Sequence, residues 1–556
     1  MSVFIGYPSF MAYQMMKGKK GNNDGFPSIP GMIARYSALG LTNEQMAANP
    51  VWVDKTGNGH DLQMKNFAWS EMSGVGGYNQ NFNQYFIGVD ESNRTVSDSS
   101  MKLVLLESDS QKVIYDRNSY QIGYTYNFYI KVTGIEGRIL NVNAGTLGGR
   151  IMSITEDGIY SINVTISDSW GQNRLYLIFP PSSSSNTVTI EQLPLYPGFI
   201  LGDGVDDFAV TEKELNFEDT YTVYTAFIPF QNNPTRNMIL CGKDETKDFS
   251  INYSGTHLNF KPSTDVNLAV RIDQFALLVC KRNKDITTII NLSTGESKSL
   301  KSVEFISNPG LYYLWRNVFV TFYAKAAIAG QTICNGYFST DEDDEKVLDW
   351  YKKQYPWLFP DQAWTVTGKT NEDEDRATIA NITGNGNDLV LSNFGFAEGS
   401  GYNEEGEYEG YLVTDGVDDK ITSSTFEMGN DWTVIGDWEL INTGKKDNAD
   451  IVKFDSIVIY NYNPILINIK NGRNNLIPDQ NTVNAICSDG RIYSKDWKES
   501  IYNEETESTS KNPLTIGYSG NSYTKIAFKN LAIYPTVLSK EDCIKAYNYL
   551  QTLKAK

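Results

Sequence analysis

The amino-acid sequence predicts an all-β protein made of several β-sandwich domains. Its 34 tyrosines and 26 phenylalanines suit pleated surfaces, and its 45 glycines suit the turns between strands. Short apolar runs such as "YTVYTAFIPF" (221–230) and "FALLVCKRN" (275–283) alternate with turn clusters, at the spacing of roughly 8–12 residues that is typical of sandwiches. A chain of 556 residues is too long for one core and suggests about three or four domains.

A set of four phrases occurs twice in the same order, which indicates a tandem duplication. The first copies are "LTNEQ" (41–45), "KTGNGHDLQMKNF" (55–67), "GDGVDDF" (202–208) and "TYTVYTAF" (220–227). The second copies are "KTNED" (369–373), "ITGNGNDLVLSNF" (382–394), "TDGVDDK" (414–420) and "DWTVIGDW" (431–438).

Each copy ends in a segment, at 335–359 and at 534–553, for which we predict a short helix. Apolar residues recur there at helical spacing, and acidic residues gather near the start, where the helix dipole favours them. A serine followed three residues later by an acidic residue fits a capping box. These pairs are Ser339 with Glu342 and Ser539 with Asp542.

The first copy is interrupted by a segment of domain size. Gly57 and Gly204 lie 147 residues apart, whereas their counterparts Gly384 and Gly416 lie only 32 apart. Inside the additional segment, "YTYNFYIKV" (124–132) alternates apolar and polar residues, as a half-buried antiparallel strand does. The predicted organisation is an N-terminal segment (1–32), a discontinuous first sandwich (33–92 plus 197–359), an inserted sandwich (93–196) and a second sandwich (360–556).

The repeated phrases resemble the concanavalin A/laminin G-like jelly-roll family. In that family a "GNG-x-DL" phrase lies near the start of the domain and a "DGVDD" phrase opens a later strand. The resemblance covers roughly 33–90 plus 196–358 and 360–556, and it implies tandem jelly-roll sandwiches with short closing helices. The insert is similar to carbohydrate-binding-module jelly rolls.

The acidic phrase admits two interpretations, a tight turn or a calcium site. A turn uses Gly204 and Gly416 at positive φ, with aspartates that accept neighbouring backbone N–H groups. Calcium requires six to eight oxygen ligands, and the phrase lacks the spacing of an EF-hand loop. We predict the turn and no cofactor, with calcium as the alternative. The six candidate ligands are Asp203, Asp206, Asp207, Asp415, Asp418 and Asp419.

Several functional classes are disfavoured by composition and pattern. The net charge of −19 opposes nucleic-acid binding, and no apolar run reaches the roughly 18 residues of a membrane helix. Five scattered cysteines and two histidines form neither a zinc motif nor a disulfide framework, so we predict free thiols. No strand-like stretch carries the paired carboxylates of the glycosidases with this fold. We therefore predict a protein that is not an enzyme, with a glycoside hydrolase as the less favoured alternative.

Two aromatic residues of the insert are candidates for glycan binding. Trp170 lies in the polar phrase "SDSWGQNR" (167–174), where it either meets a sugar or closes the end of the sandwich. Tyr129 falls on the polar face of its strand, where an exposed tyrosine without a ligand is the alternative interpretation. We predict glycans as partners of the lectin-like sandwiches.

The N-terminal segment 1–32 has no counterpart in the second copy. Its aromatic residues and methionines precede the basic run "KGKK" (17–20), and such an apolar segment is unusual for a disordered tail. We predict an anchor that becomes ordered when it docks on a larger body. The order of its charges does not fit a signal peptide, which disfavours the rival interpretation as an exported bacterial surface glycan-binding protein.

Residues 28–74 are similar to the leading region of virion structural proteins from tailed phages of gut Bacteroides-type bacteria, including crAss-like phages. The resemblance implies a head or tail fibre or capsid decoration, made in the host cytoplasm and located in the virion. It also implies attachment to other virion proteins through residues 1–32, host adhesion and a homotrimer.

Overall fold

The computed structural model describes residues 24–555, apart from gaps at 79–80, 108, 117–124, 146–148, 166–173, 231–237, 244–249, 255–256, 262–265, 304–309, 317–322, 398, 407, 442–449, 455–456, 461–465, 470–474, 477–482, 495–496, 498, 502–510 and 520–521. The chain divides into two compact units, residues 1–347 and 348–556. Tandem jelly-roll sandwiches, an inserted β-sandwich and short helices confirm the predicted fold class.

The first jelly-roll sandwich begins with four strands and a short helix. They are β1 (Met32–Ser37), α1 (Asn43–Ala48), β2 (Val51–Trp52), β3 (Leu62–Lys65) and β4 (Gly74–Val75). The hydroxyl of Thr42 caps α1 by accepting the backbone N–H of Gln45 at 3.3 Å, and the Gln45 side chain accepts the Thr42 N–H in return at 3.2 Å.

The inserted sandwich follows β4 and contains ten strands. They are β5 (Tyr85–Ile87), β6 (Arg94–Val96), β7 (Ser100–Leu105), β8 (Lys112–Asp116), β9 (Thr125–Thr133), β10 (Leu140–Ala144), β11 (Arg150–Ile154), β12 (Gly158–Thr165), β13 (Leu175–Phe179) and β14 (Asn186–Gln192). One sheet has the order β11-β10-β13-β8-β5 and the other has the order β12-β9-β14-β7-β6.

The insert begins earlier in the chain than the boundary at residue 93 that the sequence predicted. Strand β5 pairs with β8, and Phe82, Tyr85 and Ile87 are buried in the core of the insert. The two ends of the insert lie side by side. The Tyr196 N–H donates to the Gly76 carbonyl at 2.8 Å, and the Leu195 N–H donates to the Gly77 carbonyl at 3.0 Å. A domain inserted through such a hairpin-like junction leaves its host free to close around it.

After the insert, the first sandwich is completed by twelve strands and a helix. They are β15 (Ile200–Asp203), β16 (Phe208–Thr211), β17 (Tyr221–Pro229), β18 (Met238–Lys243), β19 (Ser250–Ser254), β20 (His257–Lys261), β21 (Val266–Ala269), β22 (Ala276–Arg282), β23 (Ile286–Asn291), β24 (Glu296–Lys301), β25 (Tyr312–Leu314), β26 (Lys325–Asn335) and α2 (Asp341–Gln354). One sheet has the order β24-β23-β22-β17-β26-β15-β4, with β1 also on β26, and the other has the order β2-β3-β16-β25-β18-β19-β20-β21.

The second sandwich contains the remaining strands and the last helix. They are β27 (Gln362–Thr365), β28 (Thr378–Ile379), β29 (Leu389–Ser392), β30 (Gly401–Tyr402), β31 (Leu412–Val413), β32 (Lys420–Glu427), β33 (Thr433–Leu440), β34 (Asp450–Phe454), β35 (Ile457–Tyr460), β36 (Leu466–Ile469), β37 (Asn475–Leu476), β38 (Val483–Cys487), β39 (Arg491–Ser494), β40 (Glu499–Ile501), β41 (Lys511–Ile516), β42 (Tyr518–Ser519), β43 (Ser522–Tyr523), β44 (Ile526–Tyr534) and α3 (Lys540–Thr552).

The two jelly-roll sandwiches share one topology. The second has the sheet orders β40-β39-β38-β33-β44-β31-β30, with β27 on β44, and β28-β29-β32-β41-β34-β35-β36-β37. Each position in these orders corresponds to one strand of the first sandwich, as the repeated phrases predict. A separate hairpin of β42 and β43 follows in the second copy.

The capping of the closing helices agrees with the prediction for α3 but not for α2. Ser539 caps α3 through the N–H of Asp542 at 3.1 Å. In α2 the capping residue is Thr340, which exchanges hydrogen bonds with Asp343, so the predicted pair of Ser339 and Glu342 was wrong by one position. The Ser339 hydroxyl instead donates to Asp344 at 2.7 Å.

A buried contact joins each closing helix to its sheet, with different chemistry in the two copies. In the first, Lys281 of β22 and Asp344 of α2 form an ion pair at 2.8 Å, and each residue is only 4% exposed. In the second, Cys487 and Cys543 occupy the corresponding positions as buried free thiols. A hydrogen bond with Cys543 lowers the pKa of Cys487. Within the described residues, no helix is both long and apolar enough to cross a membrane.

Candidate functional site

The repeated acidic phrase forms the same tight turn in both sandwiches. Asp203 Oδ1 accepts the Val205 N–H at 2.7 Å, and Asp207 Oδ2 accepts the Asp203 N–H at 2.9 Å. Asp415 and Asp419 make the equivalent bonds, both at 2.7 Å. Gly204 and Gly416 have φ of 79° and 74°, so both occupy the left-handed region that the predicted turn requires.

These turns also gather the six aspartates that were candidate calcium ligands. Within each triplet, oxygens of the three carboxylates lie within 4.8 Å of one another. Two of the three carboxylates in each turn already accept backbone N–H groups, and three ligands fall short of the six to eight that calcium takes. The hydrogen bonds account for the turn without an ion, and calcium binding stays the alternative interpretation.

In each turn one carboxyl group, that of Asp207 or Asp419, has a pKa above the ordinary value for aspartate. Burial, together with the charges of the neighbouring aspartates and against hydrogen bonds that lower it, raises the pKa of Asp207 to about 7 and that of Asp419 to about 6. Because the folded-state pKa lies above the ordinary value of 3.8, the Asp207 contribution to stability is present below about pH 4. It is lost as the pH rises through about 7.

Replacing Asp207 with Asn is therefore expected to remove a pH-dependent loss of stability. Relative to the unmodified chain, the melting temperature of the variant should rise between pH 4 and 8, by about 2–4 °C for each kcal/mol of pH-dependent loss that the substitution removes. Thermal unfolding at a series of pH values measures this difference. The exposed Asp206→Asn is the control and should give a much smaller change. Parallel curves for Asp207→Asn and the unmodified chain across that range would show that Asp207 titrates normally.

A cleft of about 620 Å³ lies where the inserted sandwich joins the first jelly-roll sandwich. The jelly-roll side of its lining comes from segment 41–47, which includes most of α1, and from segment 68–78, which includes β4. The insert side comes from Asn83, residues 97–99 and the end of β14 with the chain that follows. The cleft is thus a composite of two domains.

Two half-buried aromatic residues, Trp69 and Tyr78, line the cleft. The Trp69 ring stacks on Phe67 with the ring centroids 5.0 Å apart. Its backbone has a φ of 54°, which is rare for a bulky residue. The surrounding turn is held by Ser70 and Ser73, which exchange backbone hydrogen bonds at 3.0 Å. The position of Trp69 is therefore set by the backbone as well as by stacking.

Gly74 permits this backbone arrangement. A Cβ at Gly74 would lie 2.6 Å from Asn43 Oδ1 and 2.9 Å from the Cα of Trp69, and its φ is 142°. Asn43 also clamps the next residue, because its Oδ1 accepts the Val75 N–H at 2.7 Å. Only glycine allows these groups to come so close.

The second sandwich repeats the turn but has no insert beside it. Phe396 takes the place of Trp69 with a φ of 48°, and Gly401 and Asn371 take the places of the glycine and the clamping asparagine. Only nine residues separate β30 from β31 there. The aromatic turn is therefore a feature of the repeat, whereas the opposite wall of the cleft is specific to the first sandwich.

Carboxylates surround the aromatic residues of the cleft. Glu44, in the first turn of α1, and Glu71 and Glu191 are exposed, and Asp98 is half-buried. Burial, followed by the charges of Glu44 and Glu191, raises the pKa of Tyr78 to about 12. The Tyr78 hydroxyl is therefore protonated at physiological pH and available as a hydrogen-bond donor.

Of the two ligand-binding residues predicted from sequence, only Tyr129 is described by the structure, and it is not among the residues that line this cleft. Trp170 lies outside the described residues. Tyr129 lies in β9 but is only 5% exposed, so the expectation of an exposed ring was wrong; its binding role stays a prediction. The sequence signal for the cleft was the aromatic residue at the same place in both copies, "FAW" at 67–69 and "FGF" at 394–396.

No protein-family model and no curated protein matches the sequence of this chain. Among solved structures, it is similar to the botulinum neurotoxin type G receptor binding domain, at 10% identity and a TM-score of 0.26, over 62% of this chain and 91% of that one. The VIP36 exoplasmic/lumenal domain in a Ca²⁺/Man3GlcNAc-bound form gives 8% identity and a TM-score of 0.20, over 28% and 85%. The Emp47p carbohydrate recognition domain gives 7% identity and a TM-score of 0.19, over 25% and 84%.

Proposed function

We propose that this chain is a non-enzymatic glycan-binding protein whose ligand site is the cleft between the inserted sandwich and the first jelly-roll sandwich. The observation that carries the proposal is the pair of Trp69 and Tyr78 at a cleft bordered by carboxylates and amides. An aromatic ring offers a flat apolar surface to the C–H face of a sugar, and the surrounding polar groups pair with its hydroxyls.

The exposure of the cleft carboxylates favours binding over hydrolysis. A glycosidase needs a carboxylic acid that stays protonated near neutral pH, which burial in an apolar pocket provides. Glu44, Glu71 and Glu191 are exposed, and Asp98 accepts a hydrogen bond from the Asn83 amide. Retained glycans should therefore be recovered intact, and a sustained release of reducing ends would place the chain among the enzymes.

Replacing Trp69 with Ala is expected to weaken glycan binding by about 30-fold, which corresponds to about 2 kcal/mol for the loss of a central aromatic contact. Retention on a panel of bacterial capsular and mucin glycans, followed by titration of the retained glycan, measures the change. Phe396→Ala removes the equivalent ring of the second sandwich and is the matched control. If the two variants lost glycan affinity equally, or if Trp69→Ala lost none, the cleft would not be the glycan-binding site.

We also propose that the chain works in a phage virion, as a head or tail fibre or decoration. The support is the similarity of residues 28–74 to virion proteins, together with the apolar segment 1–32 as an anchor to other virion proteins. A homotrimer would present several weak glycan sites together and raise avidity by about 10²–10⁴. Antibody-labelled electron microscopy of particles tests the location, and a chain without residues 1–32 should fold but fail to join the particle.

A further inference from the structure

All the charged side chains that line the cleft are negative. Four carboxylates contribute to its lining, two from the jelly-roll side (Glu44 and Glu71) and two from the insert (Asp98 and Glu191). Among the described residues that line it, none is Lys, Arg or His. Lys131 lies opposite Glu191 in the register of β9 and β14, but it is not part of the lining.

The carboxylates are held near the aromatic pair by backbone structure. The Glu71 carbonyl accepts the Tyr78 N–H at 2.7 Å, so the chain bearing Glu71 folds back beside this ring. Glu191 is the last but one residue of β14, and the next N–H, that of Gln192, donates to the Ser99 carbonyl at 2.6 Å. Glu44 and Glu191 are both close enough to Tyr78 to affect its hydroxyl. A ligand stacked on the aromatic residues would therefore sit within this negative field.

We propose that the cleft accepts uncharged sugars and sugars bearing a protonated amine, and excludes acidic sugars such as sialic and uronic acids. This selectivity rests on the proposed glycan-binding function and specifies its ligand class. A ligand carboxylate in the cleft would meet like charges, and their repulsion is screened as the salt concentration rises. A neutral sugar instead offers hydroxyl donors to the same oxygens, and an ammonium group adds an opposite charge.

A glycan array with neutral, amine-bearing and acidic oligosaccharides of similar length tests the inference with the full chain. Retained glycans should fall in the first two classes, with acidic glycans bound at least tenfold more weakly. Glu71→Gln/Glu191→Gln removes two charges from the cleft and should reduce this discrimination, as should 1 M salt, where the screening length falls to about 3 Å. Glu296→Gln/Glu345→Gln removes two exposed charges elsewhere and should leave it unchanged.

The outcomes separate the two proposals. Retention of no glycan of any class would overturn the proposed function itself, and the inference with it. Retention of acidic glycans at least as tight as that of neutral ones would overturn the selectivity while leaving glycan binding in place. A gain in acidic-glycan binding of equal size in both double variants would assign the exclusion to the overall charge of −19 and overturn the role of the cleft.

Discussion

Replacing Lys281 with Met is expected to lower the free energy of unfolding of the first jelly-roll sandwich by about 3–5 kcal/mol. The substitution leaves the Asp344 carboxylate buried without its cation. Asp344 would keep hydrogen bonds from the hydroxyls of Tyr224 and Ser339, at 2.8 and 2.7 Å, but these do not neutralise its charge. Denaturant unfolding followed by tryptophan fluorescence measures the loss.

A double variant connects that loss to the uncompensated charge. Lys281→Met/Asp344→Asn removes both charges while keeping an acceptor for the hydroxyls of Tyr224 and Ser339. Most of the stability should return in this double variant. A single variant within 1 kcal/mol of the unmodified chain would mean that the ion pair is dispensable.

Deleting residues 79–193 and joining Tyr78 to Pro194 through a short Gly-Ser linker is expected to abolish glycan binding while both jelly-roll sandwiches remain folded. The flanking chains are already hydrogen-bonded as an antiparallel pair, since the Leu195 N–H donates to the Gly77 carbonyl at 3.0 Å. A short flexible linker can therefore close the gap.

The deletion isolates the contribution of the insert to the cleft. It retains Trp69 and Tyr78 but removes Asp98 and Glu191, and with them one wall. Cooperative unfolding and the binding titration are measured on the same preparation. If glycan binding persisted at the original affinity, the site would have to lie outside the cleft. A loss of cooperative unfolding would instead mean that the host sandwich depends on its insert.

The sequence predicted the features that are encoded in short local phrases. The glycine at positive φ and the aspartates of each acidic turn are neighbours in sequence, so the turn at Gly204 was accessible from residue types alone. The duplication was accessible because the phrases keep their order. The start of the insert was missed because β5 and β6 have only three residues each, too few for an alternating pattern.

The candidate site depended on information that short phrases do not contain. A tryptophan within a repeated apolar phrase usually belongs to a core, and Trp69 faces a cleft because its backbone is left-handed and because the insert supplies the opposite wall. The ion pair of Lys281 and Asp344 joins residues 63 positions apart in the sequence. The residues around each of them do not indicate which residue it pairs with. Contacts between residues that are distant in the sequence depend on the order of the strands in each sheet. The sequence predicted the sandwiches but not this order.

The different buried contacts under the two closing helices have a consequence for folding. Tandem domains of similar sequence are prone to exchange equivalent elements while they fold. If α3 took the place of α2, Lys281 would be buried against the thiol of Cys543, and the reverse exchange would bury Asp344 against Cys487. Each mispaired arrangement holds an unpaired charge, which costs several kcal/mol. The two buried contacts therefore favour the packing of each closing helix on its own sandwich over the exchanged arrangement.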